Sequence, residues 1–270
     1  MTAKLDFADA GLTEDGLLDG RVRLLQPARG YRVAIDAVLL AAAVPAQPGD
    51  RVLDAGTGVG AAALCLLARQ PRARVTGFEL QANFADLARR NALLNGVAAE
   101  RFDVVEGDIA APPADMAPGT FDHVMANPPF RPDAGGTPSP DAGKAVATFE
   151  GVGGLAAWMS FVLDMARPGG TVTLIHQASR LADILGGLGG RAGGIVVCPL
   201  WPAADKPAGR IIVAARKGDR TPMILHPGLI LHGPDGGYTA AVQGILRDAG
   251  DLPLGRTATR RRQPRNTALE

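Results

Sequence analysis

With 28 Lys and Arg against 27 Asp and Glu over 270 residues, a formal net charge of +1, the chain carries no global charge that marks a nucleic-acid binder, and its length suits one α/β core with decorations. No run approaches the roughly 18 apolar residues of a membrane-spanning helix, and the N-terminus lacks a basic start and an apolar signal region, so a soluble, cytoplasmic protein is expected. Cys65 and Cys198 lie far apart in apolar segments with no Cys-x-x-Cys spacing, which predicts buried free thiols and no metal centre.

In chain order, the first twenty residues lean acidic through Asp6, Asp9, Glu14, Asp15 and Asp19. Residues 27–30 read as a turn, and 33–44 as an Ala/Leu-rich helix stopped by Pro45 and Pro48. A regular alternation follows: strand 51–54, helix 59–70, strand 74–79, helix 81–95 ended by Gly96, strand 102–106 and strand 121–126. Residues 131–150, rich in Pro and Gly, have the composition of a long loop, a class that is either functional or disordered. A helix over 154–167 is expected to stop at Pro168-Gly169-Gly170, before a strand at 171–175 and a helix at 181–188 weakened by Gly186 and Gly187. Strands 195–198 and 211–215 are joined by too short a segment for a parallel crossover, so they should form an antiparallel hairpin. A short apolar stretch at 223–231 and a helix at 238–247 come last, and periodicity is lost after Gly250. The expected division is an N-terminal segment and helix (1–45), the α/β domain (46–217), an extension (218–250) and a basic flexible tail (251–270).

The chemistry concentrates at the ends of the first four strands of the alternation. Gly56-Thr57-Gly58-Val59-Gly60 joins the first strand to its helix, where missing Cβ atoms admit a ligand to the backbone and the helix N-terminus favours an anion. A tight turn alone would give a similar sequence. Glu79 ends the second strand at the offset where an acid takes ribose hydroxyls, in a nicotinamide site and an S-adenosylmethionine site alike. Asp108, at the end of the third, suits an adenine amino group or a simple turn. With Asp54, three acids at three successive strand ends are a less accidental pattern than any one of them. The fourth strand discriminates, because it delivers Asn127-Pro128-Pro129-Phe130 where a dehydrogenase would need a proton relay. Two prolines remove backbone donors and fix φ, leaving rigid carbonyl acceptors; Asn127 adds an amide oxygen and Phe130 a flat apolar face. Such a turn can hold a planar group's NH2 by two acceptors while the group stacks on the ring. Methyl transfer from a sulfonium is a direct displacement in which positioning and charge dominate, so the lack of a triad is no objection. The four histidines read as structural, His176 alone lying at the ligand edge for packing or a loop hydrogen bond, and Trp158 and Trp201 read as core or surface anchors.

Residues 26–40, beginning Gln26-Pro-Ala-Arg-Gly-Tyr31-Arg32, together with 52–60 and Asn127-Pro128-Pro129-Phe130, resemble the bacterial tRNA-valine adenine-N6 methyltransferase family over about residues 20–216. The resemblance implies a Rossmann-like class I methyltransferase with a seven-stranded, mostly parallel sheet and an antiparallel C-terminal hairpin, using S-adenosylmethionine. It implies that Asn127 and Pro128 hold the target amino group, with Pro129 fixing the turn and Phe130 stacking on the base. It also implies a donor set of Asp54, Gly56, Thr57, Gly58 and Gly60 near the methionine part, Glu79 near the ribose and Asp108 with Ile109 near the adenine, while Tyr31, Arg32 and Asp36 close over the donor or simply start a helix. The expected partner is RNA, tRNA first, held by basic residues that include Arg260, Arg261 and Arg262; a solvated tail would carry the same arginines. Related enzymes methylate a glutamine amide in proteins, guanine N2 or DNA adenine, and the glutamine enzymes are expected to carry a folded N-terminal helical domain before this region.

Overall fold

The computed structural model describes residues 11–29, 32–130 and 153–255. The loop expected at 131–150, Tyr31 and the arginine tail from Arg256 onward lie outside the described residues.

The first described segment is a hairpin that hydrophobic periodicity does not predict. Strands β1 (Leu12–Leu17) and β2 (Val22–Pro27) pair antiparallel and turn through Leu18 and Asp19, both in the left-handed region at φ 53° and 57°. Leu18 at positive φ is unusual turn chemistry for a residue of its bulk, and burial of its side chain in the core holds it there. The hairpin is fastened to the helix α3 (Ala82–Leu94) by two asparagines. Asn91 accepts from the Leu25 N–H at 2.7 Å and donates to the Leu25 carbonyl at 2.9 Å; Asn95, just past the helix, does the same with Arg23 at 2.8 and 2.7 Å. The spacing explains the fit, since four residues of helix advance about 6 Å and two residues of strand about 6.6 Å. The two side chains stand in for a neighbouring strand.

Helix α1 (Ile35–Ala43) follows, then β3 (Arg51–Ala55), α2 (Ala61–Arg69), β4 (Arg74–Glu79), α3, β5 (Phe102–Glu106) and β6 (Phe121–Ala126). Past the undescribed loop come α4 (Gly154–Met165), β7 (Ala166–Gln177), α5 (Leu181–Leu188), β8 (Ala192–Trp201) and β9 (Arg210–Lys217). Strands β10 (Ile224–Leu225) and β11 (Leu229–Ile230) and helix α6 (Ala240–Asp248) complete it. The sheet runs β10-β8-β9-β7-β6-β3-β4-β5, with β11 also on β8. Seven long strands form it, β3 to β7 parallel and the β8–β9 hairpin antiparallel, as expected; the apolar stretch at 223–231 adds two short strands parallel to β8.

One boundary is corrected. Pro168-Gly169-Gly170 does not end a helix: α4 stops at Met165 and these residues lie inside β7, at a register shift against β6 between Phe121 and His123. An irregularity of this kind is where a strand tolerates proline, and Gly169 at φ +73° makes the bend.

Alternate residues of each strand feed two cores. Val52, Val75 and Val104 pack with α1, α2, α3, α6 and the hairpin on one face; Leu53, Phe78 and Val124 pack with α4 and α5 on the other. At the sheet edge opposite the strand C-termini, the buried His123 meets Thr171 Oγ1 at 2.7 Å and Asp50 Oδ2 at 3.0 Å, a structural stitch that matches its reading as a packing residue. Cys65 and Cys198 are free and buried, and burial pushes their thiols up to about 12 and about 11.

Candidate functional site

Strands β5, β4, β3 and β6 are consecutive neighbours and all parallel, so Asp108, Glu79, Asp54 and Asn127 come to one edge of the sheet at or just past their ends. The chain runs outward from β3 through β4 to β5 and then returns to the other side of β3 as β6. The edge at β3 and β6 is therefore a topological switch point, where open α/β sheets bind ligands.

The loop after β3 is fixed by its neighbours. The N–H groups of Gly56 and Thr57 both donate to the Phe78 carbonyl, at 2.8 and 3.0 Å, and the Thr57 hydroxyl donates to Asp54 Oδ2 at 2.7 Å. Gly56 holds φ +72°, and a Cβ there would sit 2.7 Å from Trp158 Cη2, so this position needs glycine for both conformation and space. Glu79 locks the loop to β4: its carboxylate accepts from the Gly58 N–H at 2.8 Å and from the Gln81 N–H at 3.0 Å.

Two carboxylates are thus buried together. Burial is the main cause that pushes the Asp54 carboxyl up to about 6, against the opposing bonds from Thr57 and Ala63, and the Glu79 charge adds to it. Burial also raises Glu79, offset by the N–H donors of Gln81, Gly58 and Leu80. Among the described residues no Lys or Arg forms an ion pair with Asp54 or Glu79. Buried acids without a cationic partner suit a cationic ligand.

On the β6 side, the Oδ1 of Asn127 is buried with no hydrogen-bond partner among the described residues. A buried acceptor left unpaired costs about 1–3 kcal/mol, a cost that a ligand N–H removes. Phe130 stands near: its ring meets the buried His176 of β7 edge-on at 5.2 Å, and Arg210 Cζ lies 4.7 Å from its centroid. Arg210 opens β9 and pairs through Nε with Asp36 Oδ2 of α1 at 3.3 Å.

Residues 31–142 match the methyltransferase small domain. The chain carries a methyltransferase fold. It is similar to the solved structure of a predicted O-methyltransferase from Agrobacterium tumefaciens, with TM-score 0.68 and 27% identity over 81% of this chain and 98% of that one. Among relatives, it is 42% identical over 97 residues to a release factor glutamine methyltransferase of Chlorobaculum tepidum, covering 36% of this chain and 33% of the relative. It is 33% identical over 159 residues to a tRNA1(Val) (adenine(37)-N6)-methyltransferase of Porphyromonas gingivalis, covering 57% and 61%. To the enzyme of that name in Shewanella amazonensis it is 29% identical over 224 residues, covering 81% and 91%. The chain thus spans about a third and three-fifths of the lengths of the first two relatives.

Within this methyltransferase fold, the sequence-selected residues fall into three groups. Asp54, Gly56, Thr57, Gly58, Gly60 and Glu79 form one bonded loop assembly, and Asn127, Pro128, Pro129 and Phe130 leave β6 beside it. Asp108 and Ile109 belong to the turn after β5, where Asp108 Oδ1 accepts from the Ala110 N–H at 2.9 Å and Ile109 packs on the core. Arg32 is drawn toward the hairpin instead, donating to Asp15 Oδ2 and Thr13 Oγ1 at 2.7 and 2.8 Å. Sequence reasoning passes over Arg210. The one signal for it is the antiparallel hairpin itself, which sets the start of β9 against the end of β7, Arg210 opposite Gln177.

Proposed function

We propose that the chain is an S-adenosylmethionine-dependent methyltransferase that modifies the N6 amino group of an adenine in RNA, with tRNA as the substrate class. The observation that carries this reading is the buried Oδ1 of Asn127, unpartnered among the described residues, next to a pair of buried carboxylates that no described Lys or Arg neutralises. The donor carries an ammonium and a sulfonium, and those acids suit both; the glycine loop admits its backbone-facing parts, with open space where a Cβ of Gly58 would be. When bound, it supplies an electrophilic methyl group.

The chain's own residues supply position. Glu79, already accepting two backbone N–H groups, has lone pairs left for ribose hydroxyls, and Asp108 and Ile109 lie at the adenine end. Asn127 Oδ1 and the Pro128 carbonyl accept the two N–H groups of the target, which keeps the nitrogen lone pair directed at the methyl carbon and stabilises the positive charge that grows on nitrogen. Pro129 fixes the turn and Phe130 stacks on the base. The proton leaves to solvent after transfer, so no general base is required.

Relatives named for adenine 37 of tRNA support RNA as acceptor, one of them along 91% of its own length. A glutamine amide presents the same NH2 group, and the 42% identity to a release factor enzyme over 97 residues favours it as the second reading. RNA as the acceptor and two free thiols accord with a cytoplasmic location; no helix among the described residues is long and apolar enough to cross a membrane. The arginines of the tail, Arg260, Arg261 and Arg262 among them, supply sequence-independent phosphate contacts in this reading. The test is transfer of labelled methyl from the donor to unmodified tRNA and, in parallel, to a release factor peptide containing glutamine; label on the peptide alone overturns the RNA reading.

A further inference from the structure

We propose that Arg210 is a substrate-positioning residue that takes a phosphate adjoining the target nucleoside, and that Asp36 parks it over Phe130 until the substrate arrives. The proposal rests on the nucleotide reading above and adds the group that distinguishes a nucleotide from an amide.

Three observations carry it. Arg210 opens β9 opposite Gln177, so it stands on the edge of the sheet that bears Asn127, two strands away across β7. Its guanidinium covers Phe130 at 4.7 Å, the ring on which a flat acceptor would stack, while His176 closes the ring edge. Its bonds are long: Nε to Asp36 Oδ2 at 3.3 Å and Nη1 to the Gly209 carbonyl at 3.5 Å, on a side chain 37% exposed.

Charge-assisted arginine bonds settle at about 2.7–2.9 Å, so both contacts are loose, and a phosphate offers the fork two short parallel bonds in their place. Asp36 is one carboxylate in the first turn of α1 with a side chain only 16% exposed. It keeps the guanidinium at the pocket without filling its donors. A nucleotide brings its phosphate within reach of a residue beside its base. A glutamine side chain brings none, so Arg210 makes the site selective for nucleic acid over peptide.

The test uses protein saturated with S-adenosylhomocysteine, titrated with adenosine and with adenosine 5′- and 3′-monophosphate. In the unaltered protein at least one monophosphate binds about tenfold more tightly than adenosine, the worth of one partly exposed charged hydrogen bond. In Arg210→Gln that preference disappears, while the affinities for adenosine and for S-adenosylhomocysteine change by less than about threefold. Equal binding of all three ligands by the unaltered protein, or a preference that survives in Arg210→Gln, overturns the role of Arg210 alone. Failure of all three to bind overturns it together with the nucleotide reading.

Discussion

Asn127 is the residue on which the proposed chemistry turns. In the proposed mechanism, replacing it by alanine removes the acceptor that would orient the target nitrogen and leaves the bonds of the glycine loop to Glu79 in place. Turnover of Asn127→Ala should fall by about a hundredfold or more, as when a group acting only in the transition state is removed, with donor affinity within about twofold; single-turnover kinetics beside calorimetry separates the two. Asp54 gives a pH signature. Its carboxyl is raised from 3.8 to about 6, so without ligand the folded chain holds the proton more tightly than the unfolded one. That contribution to stability is full below the unfolded value and is lost as pH rises to about 6. A cationic donor prefers the charged form, so its affinity should climb with pH up to about 6 and level off above; Glu79, also raised, acts in the same sense. Calorimetry from pH 5 to 8 on the parent and on Asp54→Asn checks this, the variant losing the steep part below pH 6. These residues were legible in the sequence because each lies in a short local motif at a strand end. Arg210 was not, because its importance arises from pairing with β7 and from Asp36, 174 positions away in the chain.

Among the elements, the hairpin β1–β2 left a weak sequence signal and yet is tied to the glycine loop through a single side chain of α3. Asn91 bonds Leu25 twice and also donates to the Val59 carbonyl at 2.9 Å, joining hairpin, α3 and glycine loop through one buried side chain. Asn91→Ala strands three backbone groups and should destabilise the fold by about 2–4 kcal/mol in urea unfolding. Single-sequence periodicity could not find this arrangement: β1 is only partly buried, and its turn places leucine at positive φ. The alternating strands and helices of the sheet were legible to within a few residues, since each buried strand is a short apolar run with a glycine or proline near its end. Strand β7 was misjudged at its start because a Pro-Gly-Gly that normally ends a helix here forms a bend within the strand. The glycine loop makes its own prediction. Gly56→Ala adds strain at φ +72° and a 2.7 Å approach to Trp158, and should weaken donor binding at least tenfold; left-handed backbone alone costs about 1–2 kcal/mol. Trp158→Phe in the same chain should restore part of that affinity, because it relieves the crowding and not the backbone.

On the scale of the whole molecule, a net charge of +1 gives no general attraction to RNA, so in the proposed RNA reading local groups must supply it. Deleting residues 256–270, with Arg260, Arg261 and Arg262, should weaken tRNA binding and lower the slope of log affinity against log salt by about one for each phosphate that the tail neutralises. Donor affinity should stay unchanged, and equal slopes would return the tail to a solvated end. The acceptor turn by itself offers the same two acceptors to an adenine and to a glutamine amide, and Arg210 beside Phe130 is the group proposed to tell them apart. The most direct measurement of the central claim is therefore nucleoside mass spectrometry. Unmodified tRNA incubated with the protein and methyl-labelled S-adenosylmethionine should yield labelled N6-methyladenosine on digestion, and Asn127→Ala should yield about a hundredfold less in the same time. Unlabelled tRNA beside a methylated glutamine peptide, or label on a nucleoside other than adenosine, would contradict it.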